Sequence, residues 1–255
     1  EFRRVLFRSS FHPVFDPQNL CVIEKMGPKT SKTGWPLPDH TEEFSAWAAD
    51  ANEKVSREDD FLFAHQRFCR YYLQHEGPHR GLILFNGLGS GKSCSAIAAA
   101  EALRQASADR PRSIYVMLPA SLRNNYIREI RLCGGEIFRE AQSWRLANLD
   151  DVDAAWSPYA TGDQVWISHE KEGTPFDRLS ASDKDSVRVQ IDKMIVDMHN
   201  FVHYNGLTAK SLRELIKPGD ANPFDDAIII IDEIHNMSAN LHGGKMVSQL
   251  YRRIY

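Results

Sequence analysis

The chain has 255 residues, of which 42% are hydrophobic and 25% charged, and its formal net charge at pH 7 is −3. This ordinary globular mixture excludes a collagen-like, coiled-coil or fully disordered protein, and any contact with nucleic acid must come from a local patch. No apolar run is long enough to span a bilayer, so no membrane contact is expected. The cysteines at positions 21, 69, 94 and 133 show no pairing or metal-ligand spacing, which favours a reduced, intracellular protein.

Residues 1–9, with the sequence EFRRVLFRS, match at every position the translation of a common sequencing adapter. We interpret them as an assembly artefact and exclude them from the predicted fold, as one would a tag. The alternative is a basic, apolar N-terminal arm. The artefact interpretation also predicts that the reading frame is a fragment of a longer gene. Residues 10–60 are rich in Pro, Gly, Asp and Lys and are predicted to be irregular, with one short helix between Thr41 and Lys54.

From Phe61 onward, predicted helices alternate with short apolar strands. The predicted helices are Phe61–Gln74, Ser93–Gln105, Ser121–Cys133, Asp183–Asn200 and Lys210–Ile216. The predicted strands are Gly81–Phe85, Ser113–Leu118, Gln164–Ser168, Phe201–Tyr204 and Ala227–Ile231. Solid apolar strands that alternate with helices indicate an α/β domain, with a mainly parallel sheet and helices on both faces. Gly135–Ala160 is the least regular interior stretch and is interpreted as an insertion.

Phe85–Ser93, with the sequence FNGLGSGKS, lies between a predicted strand and a predicted helix, which is the context of a phosphate-binding loop. Glycines let backbone N–H groups approach phosphate oxygens, and the helix N-terminus adds its positive dipole end. Lys92 is predicted to contact the β- and γ-phosphates and Ser93 to bind Mg²⁺. The predicted nucleotide-binding residues of the loop are Gly87, Gly89, Ser90, Gly91, Lys92 and Ser93. The alternative is a glycine-rich connection with an exposed lysine, and Asn86 stands where the consensus has glycine.

Ile228–Asn236, with the sequence IIIIDEIHN, reads as a buried strand that ends in two carboxylates. Ligands of open α/β sheets bind at the carboxyl ends of the strands. Asp232 is therefore predicted to hold Mg²⁺ through a water, and Glu233 to activate the attacking water as a general base. His235 is predicted to pass the nucleotide state to neighbouring motifs rather than bind metal. The alternative is a strand that simply ends in solvated acids.

Two further places carry candidate contacts. Gln66 lies on the helix before the first strand, and its side-chain amide has the donor and acceptor that recognise an adenine edge; a surface glutamine is the alternative. Ser121, Arg123 and Asn125 stand at a predicted helix start after the second strand, where polar groups suit the phosphates of nucleic acid. For the arginine, a solvated helix face is the alternative.

The motifs together resemble those of superfamily-two helicases. HQ at 65–66, GLGSGKS at 87–93, PASL at 119–122 and DEIH at 232–235 resemble the Q motif and motifs I, Ia and II. The longer strings GLGSGKSCSAI, PASLRNNYIREI, TPFDRLS, HYNGL and NPFDDAIIIIDEIHN resemble the helicase-like ATPases of nucleocytoplasmic large DNA viruses. That group includes the poxvirus nucleoside triphosphatase and the early-transcription-factor small subunit. The resemblance runs from about Phe61 to Tyr255.

The resemblance implies that residues 61–255 form the first, RecA-like lobe of an enzyme that hydrolyses Mg²⁺-bound ATP to translocate on or remodel DNA in viral transcription or replication. The second lobe, with its arginine finger, would be absent. Implied partners are DNA, through sequence-tolerant backbone contacts, and the viral RNA polymerase or transcription machinery. The implied location is a virus factory in the host cytoplasm or nucleus, or the virion. Ile234 departs from the alanine of DEAH.

Two other functions remain open at this stage. The first is an AAA+ or packaging-type ATPase, against which Gln66 and the PASL string argue. The second is a non-catalytic, nucleotide-switched DNA-binding module. The chain retains Lys92, Ser93, Asp232 and Glu233, which argues against a module that has lost catalysis.

Overall fold

The computed structural model describes residues 4–8, 49–50, 53, 61–74, 81–84, 89–105, 112–169, 172–217, 219–241 and 245–254. The chain divides into two compact units. Unit 1 comprises residues 1–123 and 201–255, and unit 2 comprises residues 124–200. Most of the predicted irregular segment 10–60 lies outside the described residues, although residues 49–50 and 53 are helical.

The structure contains the following elements. The strands are β1 (Arg4–Arg8), β2 (Gly81–Leu84), β3 (Ile114–Met117), β4 (Ser143–Asn148), β5 (Gln164–Ser168), β6 (Thr174–Pro175), β7 (His199–Val202) and β8 (Ile228–Asp232). From Ala64 onward the α-helices are α1 (Ala64–Gln74), α2 (Lys92–Gln105), α3 (Arg123–Cys133), α4 (Ala181–Met198), α5 (Ala209–Leu215), α6 (Ile234–Leu241) and α7 (Lys245–Ile254). None of the described helices is long and apolar enough to cross a membrane.

Unit 1 is built on a five-stranded sheet with the order β2-β1-β8-β3-β7. β3 and β8 are parallel, and β1 is antiparallel to both β2 and β8, so β2, β3 and β8 share one direction. Arg4 pairs with Leu84 on one side and with Asp232 on the other. The last residues of β2 and β8 therefore lie at the same level of the sheet, about 10 Å apart.

β1 is the main departure from the predicted sheet. The sequence analysis excludes residues 1–9 from the fold, but Arg4–Arg8 forms a strand between β2 and β8. An apolar Val-Leu-Phe run has strand propensity, and backbone pairing makes few demands on the side chains that accompany it. The α/β architecture is confirmed, whereas the sheet is parallel only in part. The adapter origin of residues 1–9 stays a prediction.

Helices cover both faces of β8. Ile229 and Ile231 belong to a buried cluster that includes residues of α5, α6 and α7. Alternate residues of a strand face opposite sides, so Ile228, Ile230 and Asp232 face the other side. α2 contacts β8 and, among the described residues, contributes nothing to that cluster. Asp232 therefore lies on the face of the sheet that α2 covers.

α2 begins one residue earlier than predicted, at Lys92, and ends at Gln105 as predicted. Its alanines are buried on several sides, because α1 contacts it as well as the strands of the sheet. Small side chains allow this close approach while keeping high helix propensity.

The cysteines differ from the prediction: Cys69 is a free, buried thiol, whereas Cys94 and Cys133 are disulfide-bonded.

Unit 2 contains a separate three-stranded sheet with the order β5-β4-β6, and both pairings are antiparallel. Gln164–Ser168 is a strand with the predicted bounds, but the expectation that it belongs to the parallel sheet is wrong. Gly135–Ala160, predicted to be irregular, contains β4, in which Trp144 and Ala147 are buried. Strand pairing is a long-range property, so the local pattern of β5 could not identify β4 as its partner.

Side-chain caps explain where two helices begin. The Ser180 hydroxyl accepts a hydrogen bond from the backbone N–H of Asp183 and starts α4 at Ala181, and Thr208 forms a capping box with Ser211 ahead of α5. The α-helix predicted to start at Ser121 begins two residues later. Pro119 precedes a short 3₁₀ turn, and α3 begins at Arg123. Proline supplies a fixed backbone angle there but no side-chain acceptor.

Candidate nucleotide-binding site

The described part of the predicted phosphate loop starts at Gly89, and Gly87 lies outside the described residues. Gly89 and Gly91 have φ values of +75° and +72°, which only glycine adopts without strain. A Cβ on Gly91 would lie 2.3 Å from Gln66 Nε2, whereas a Cβ on Gly89 would meet nothing within 4 Å. Gly91 is therefore required by its backbone angle, and a side chain there would also displace the Gln66 amide.

Two adjacent side chains of α1 hold this loop. The Gln66 Nε2 group donates to the carbonyl of Gly91 at 3.2 Å, while its Oε1 accepts from the backbone N–H of Phe63 at 2.9 Å. His65 Nε2 lies 2.8 Å from the carbonyl oxygen of Ser90. Gln66 is 3% exposed, so the alternative of a surface glutamine is wrong. Its amide connects the start of α1 to the phosphate loop, and one N–H and one lone pair remain on it for other contacts.

The residue predicted to contact phosphate and the residue predicted to bind Mg²⁺ are neighbours at the start of α2. Lys92 and Ser93 are its first two residues, and both are buried. The carbonyl of Gly91 accepts hydrogen bonds from the backbone N–H of Ser95 at 3.0 Å and from its hydroxyl at 3.2 Å. These bonds join the loop to the first turn of the helix. A buried lysine at a helix start, beside inward-turned glycines, suits a phosphate group.

The acidic end of β8 has an unusual backbone. Asp232 is 3% exposed, and its Oδ1 accepts the backbone N–H of Glu233 at 3.0 Å. Glu233 has a φ of +52°, a left-handed conformation that costs a non-glycine residue roughly 1–2 kcal/mol. The Glu233 Oε2 atom lies 3.3 Å from Nδ1 of His235. Helix α6 begins at Ile234, the residue after Glu233. This turn separates the two carboxylates, with Asp232 at the strand and Glu233 beyond it.

The strand register brings these parts together. Leu84, which precedes the phosphate loop, and Asp232 pair with the same residue of β1. α2, which begins with Lys92 and Ser93, covers the face of β8 on which Asp232 lies. The predicted phosphate loop and the predicted acidic residues therefore follow strands that end at one level of the sheet. A lysine, a hydroxyl and carboxylates at such strand and helix ends suit a metal-bound polyphosphate.

The donor set also fits Mg²⁺. A hydroxyl on Ser93 and a carboxylate on Asp232 are hard oxygen ligands, and both residues are buried. Mg²⁺ is commonly held by one or two protein groups, with phosphates and waters completing its coordination. Ser93 and Asp232 would hold the ion in that way, with the nucleotide supplying further oxygens.

Tyr204 is a site residue that the sequence analysis missed. Its buried hydroxyl donates to the main-chain carbonyls of Asp232 at 2.8 Å and Glu233 at 3.0 Å. Burial raises its pKa above the ordinary value, and the negative charges of Asp232 and Glu233 raise it further. The HYNGL string drew attention to this segment, but nothing in the sequence links position 204 to position 232.

The residues predicted to contact nucleic acid lie around the start of α3. Ser121 and Asn125 are exposed, and the Arg123 guanidinium carbon lies 5.1 Å from the centroid of the Phe201 ring. This cation–π contact gives Arg123 a fixed place, so its side chain is more than a solvated helix charge. Its contact with nucleic acid stays a prediction.

Comparison with known proteins gives distant viral relatives. A protein of Acanthamoeba polyphaga mimivirus, described as a candidate ATP-dependent RNA helicase, is 26% identical over 191 residues, which are 74% of this chain and 26% of the relative. A second mimivirus protein with the same description is 37% identical over 74 residues, covering 29% of this chain and 6% of the relative. A candidate helicase of Frog virus 3 is 31% identical over 83 residues, covering 32% of this chain and 9% of the relative.

The chain thus spans about a quarter of the first relative and less than a tenth of the other two. No known family profile matches the chain, and no solved structure matches it. The resemblance to viral helicase-like proteins is confirmed at this coarser level. By its distant relatives, this chain is similar to helicase-like ATPases of large DNA viruses.

Proposed function

We propose that the chain is the ATP-binding, RecA-like lobe of a superfamily-two, DNA-dependent ATPase that translocates on or remodels DNA during viral transcription or replication. The observation that carries the proposal is that β2, which leads into the phosphate loop, and the acidic end of β8 stop at the same level of the sheet. Helix α2, which begins with Lys92 and Ser93, contacts β8 as well. The relationship to the poxvirus nucleoside triphosphatase and early-transcription-factor subunit is part of this proposal, as is a polymerase partner.

Each residue has a defined part in the proposed reaction. The backbone N–H groups of the glycine loop and the Lys92 ammonium hold the phosphates, because both present positive charge to oxygen. Ser93 and Asp232 hold Mg²⁺, which neutralises developing charge on the phosphate oxygens when bound. Glu233 accepts a proton from the attacking water. Gln66 holds the loop and presents its remaining amide N–H and lone pair to the adenine edge.

Nucleic acid is proposed to bind through the backbone contacts of Ser121, Arg123 and Asn125. Such contacts carry no base information, so binding should be tolerant of sequence and sensitive to salt. His235, which lies beside Glu233, is proposed to couple the nucleotide state to neighbouring motifs. Two relatives carry RNA in their descriptions, whereas the motif resemblance favours DNA, and this difference can be measured.

The test is ATP hydrolysis by the full-length protein, measured without nucleic acid, with DNA and with RNA at matched nucleotide concentrations. The proposal expects hydrolysis that DNA stimulates more than RNA. Greater stimulation by RNA would transfer the proposal to an RNA-dependent enzyme. ATP binding without hydrolysis under all three conditions would favour the non-catalytic module. A ring-shaped oligomer in which one subunit completes the next subunit's site would favour the AAA+ or packaging-type alternative.

A further inference from the structure

The left-handed turn at Glu233 is held by a side chain from another part of unit 1. Tyr204 follows β7, 28 residues before Asp232. Its single hydroxyl proton is shared between the carbonyls of Asp232 and Glu233, at 2.8 Å and 3.0 Å. These carbonyls belong to the two peptide groups on either side of the Glu233 Cα, where the chain leaves β8 and enters the turn. A donor shared between them restrains both peptide groups.

A strained backbone of this kind persists only when its surroundings impose it. The φ of +52° at Glu233 is stabilised from three directions. Asp232 Oδ1 accepts the N–H of Glu233, the carbonyl of Glu233 accepts the N–H of Asn236 at 2.8 Å, and the Tyr204 hydroxyl donates to the same carbonyl. Of these three contacts, that of Tyr204 comes from outside the β8–α6 connection.

The tyrosine is itself firmly placed. Its ring is 1% exposed and belongs to the buried cluster that contains Ile229, Ile231, Leu212 and Met237. It shares this cluster with residues of the strand before the turn and of the helix after it. The contact of its hydroxyl with the turn restrains the backbone from which the Glu233 carboxylate projects.

We propose that Tyr204 is a positioning residue that fixes the backbone turn at Glu233 and thereby aims its carboxylate at the attacking water. The proposal rests on the proposed function, in which Glu233 is the general base. Tyr204 does not touch the nucleotide in this account. Its removal should therefore lower the rate of hydrolysis while leaving the binding of Mg-ATP almost unchanged.

The first test is Tyr204→Phe, which keeps the ring in the core and removes only the hydroxyl. In the full-length protein it should lower kcat about tenfold, the size expected for losing one hydrogen bond to the turn, with KM within about twofold. Tyr115→Phe is the matched control, because Tyr115 is a buried tyrosine of the same cluster. A kcat within twofold of wild type for Tyr204→Phe, or an equal loss in both variants, would overturn the proposal.

A second test asks whether Tyr204 acts through Glu233. In a Glu233→Gln background, Tyr204→Phe should produce little further loss of turnover, because the group it positions is already gone. A full tenfold additional loss would instead assign Tyr204 a separate role and overturn the proposal. This coupling is a result that a merely structural substitution would not produce.

A third measurement separates failure of this proposal from failure of the proposed function. Hydrogen exchange of the backbone amides of residues 232–236 reports the turn without nucleotide. Tyr204→Phe should speed that exchange and Tyr115→Phe should not; unchanged exchange overturns the positioning role. The wild type could fail to hydrolyse ATP while Tyr204→Phe still speeds the exchange. That result would support the contact of Tyr204 with the turn, but it would reject both the proposed function and the catalytic purpose assigned to Tyr204.

Discussion

The two units of the chain bury polar groups for different purposes. In unit 2, the Gln190 amide accepts from the backbone N–H of Trp166 and donates to its carbonyl, both at 2.8 Å. Trp166 lies on β5, at the edge of the small sheet. The amide makes the two backbone hydrogen bonds with Trp166 that a further strand would otherwise make. The buried polar group serves the fold alone.

In unit 1, by contrast, buried charged and hydroxyl groups lie at the ends of regular elements. Lys92 and Ser93 begin α2 and Asp232 ends β8, and all three are at most 9% exposed. A fold does not need a lysine, a serine and an aspartate at such a place, since burying charge is expensive. The comparison teaches that a buried polar group suggests function when it lies at a strand end rather than along a strand edge.

The largest expected effect sharpens the assignment of chemistry to unit 1. Glu233→Gln retains shape and hydrogen bonding but removes the proposed base, so turnover of the full-length protein should fall about 100-fold or more. Binding of Mg-ATP should persist, because the phosphate ligands are untouched. Steady-state hydrolysis together with equilibrium binding measures both. Near-normal turnover would place the base on another residue.

The next effect concerns unit 2. Gln190→Ala leaves the N–H and carbonyl of Trp166 without their partner and should lower the free energy of unfolding by about 2–3 kcal/mol. Mg-ATP affinity should not change, because this amide serves only the fold. Ser186→Ala is the milder control, since it removes one hydrogen bond to the Trp166 indole, 3.1 Å long. Urea unfolding and nucleotide titration separate stability from binding; a large loss of Mg-ATP affinity in folded Gln190→Ala would break the comparison.

A pair of glycine substitutions tests how the phosphate loop is held. Gly89→Ala and Gly91→Ala both place alanine at positive φ, each costing roughly 1–2 kcal/mol. Only at Gly91 does the new Cβ collide with the Gln66 amide, so that variant should also lose loop hydrogen bonds and about a further 1 kcal/mol. Mg-ATP affinity and urea unfolding measure the difference. Equal losses of Mg-ATP affinity and of unfolding free energy in the two variants would mean that the contact with α1 does not hold the loop.

The smallest effect concerns nucleic acid. Arg123→Ala should weaken DNA binding by a few-fold, evenly across sequences, and reduce the salt slope by about one phosphate contact. Nucleotide binding should be spared. Arg252→Ala, an exposed arginine of α7, is the control. Titration of single-stranded and duplex DNA at two salt concentrations provides the measurement, and unchanged affinity and slope for Arg123→Ala would place the contact elsewhere.

The strands of the central sheet were predictable because their signal is local. β2, β3 and β8 are solid apolar runs between helical segments, and each lies within one residue of its predicted bounds in the described chain. The position of Asp232 at a strand end, and of Lys92 beside a helix start, also followed from short motifs. Burial on both faces leaves few alternatives to a strand.

The remaining features depend on contacts between residues distant in sequence. Nothing near Arg4 predicts that it pairs with Leu84 and Asp232, and nothing near Gln164 predicts that β5 leaves the central sheet for β4. Tyr204 was missed for the same reason, since its contact lies 28 residues away along the chain. Pairing and packing of this kind become visible only when the backbone is assembled.

The central claim is that the edge of the unit 1 sheet binds Mg-ATP through Lys92, and calorimetric titration of Mg-ATP into the wild-type chain and Lys92→Ala tests it most directly. The control is Lys210→Ala, which removes a lysine that is 84% exposed. The account predicts measurable binding by the wild type and by Lys210→Ala, and none by Lys92→Ala, because a buried, charge-assisted contact to phosphate is lost. Equal affinity of Lys92→Ala and the wild type would contradict it.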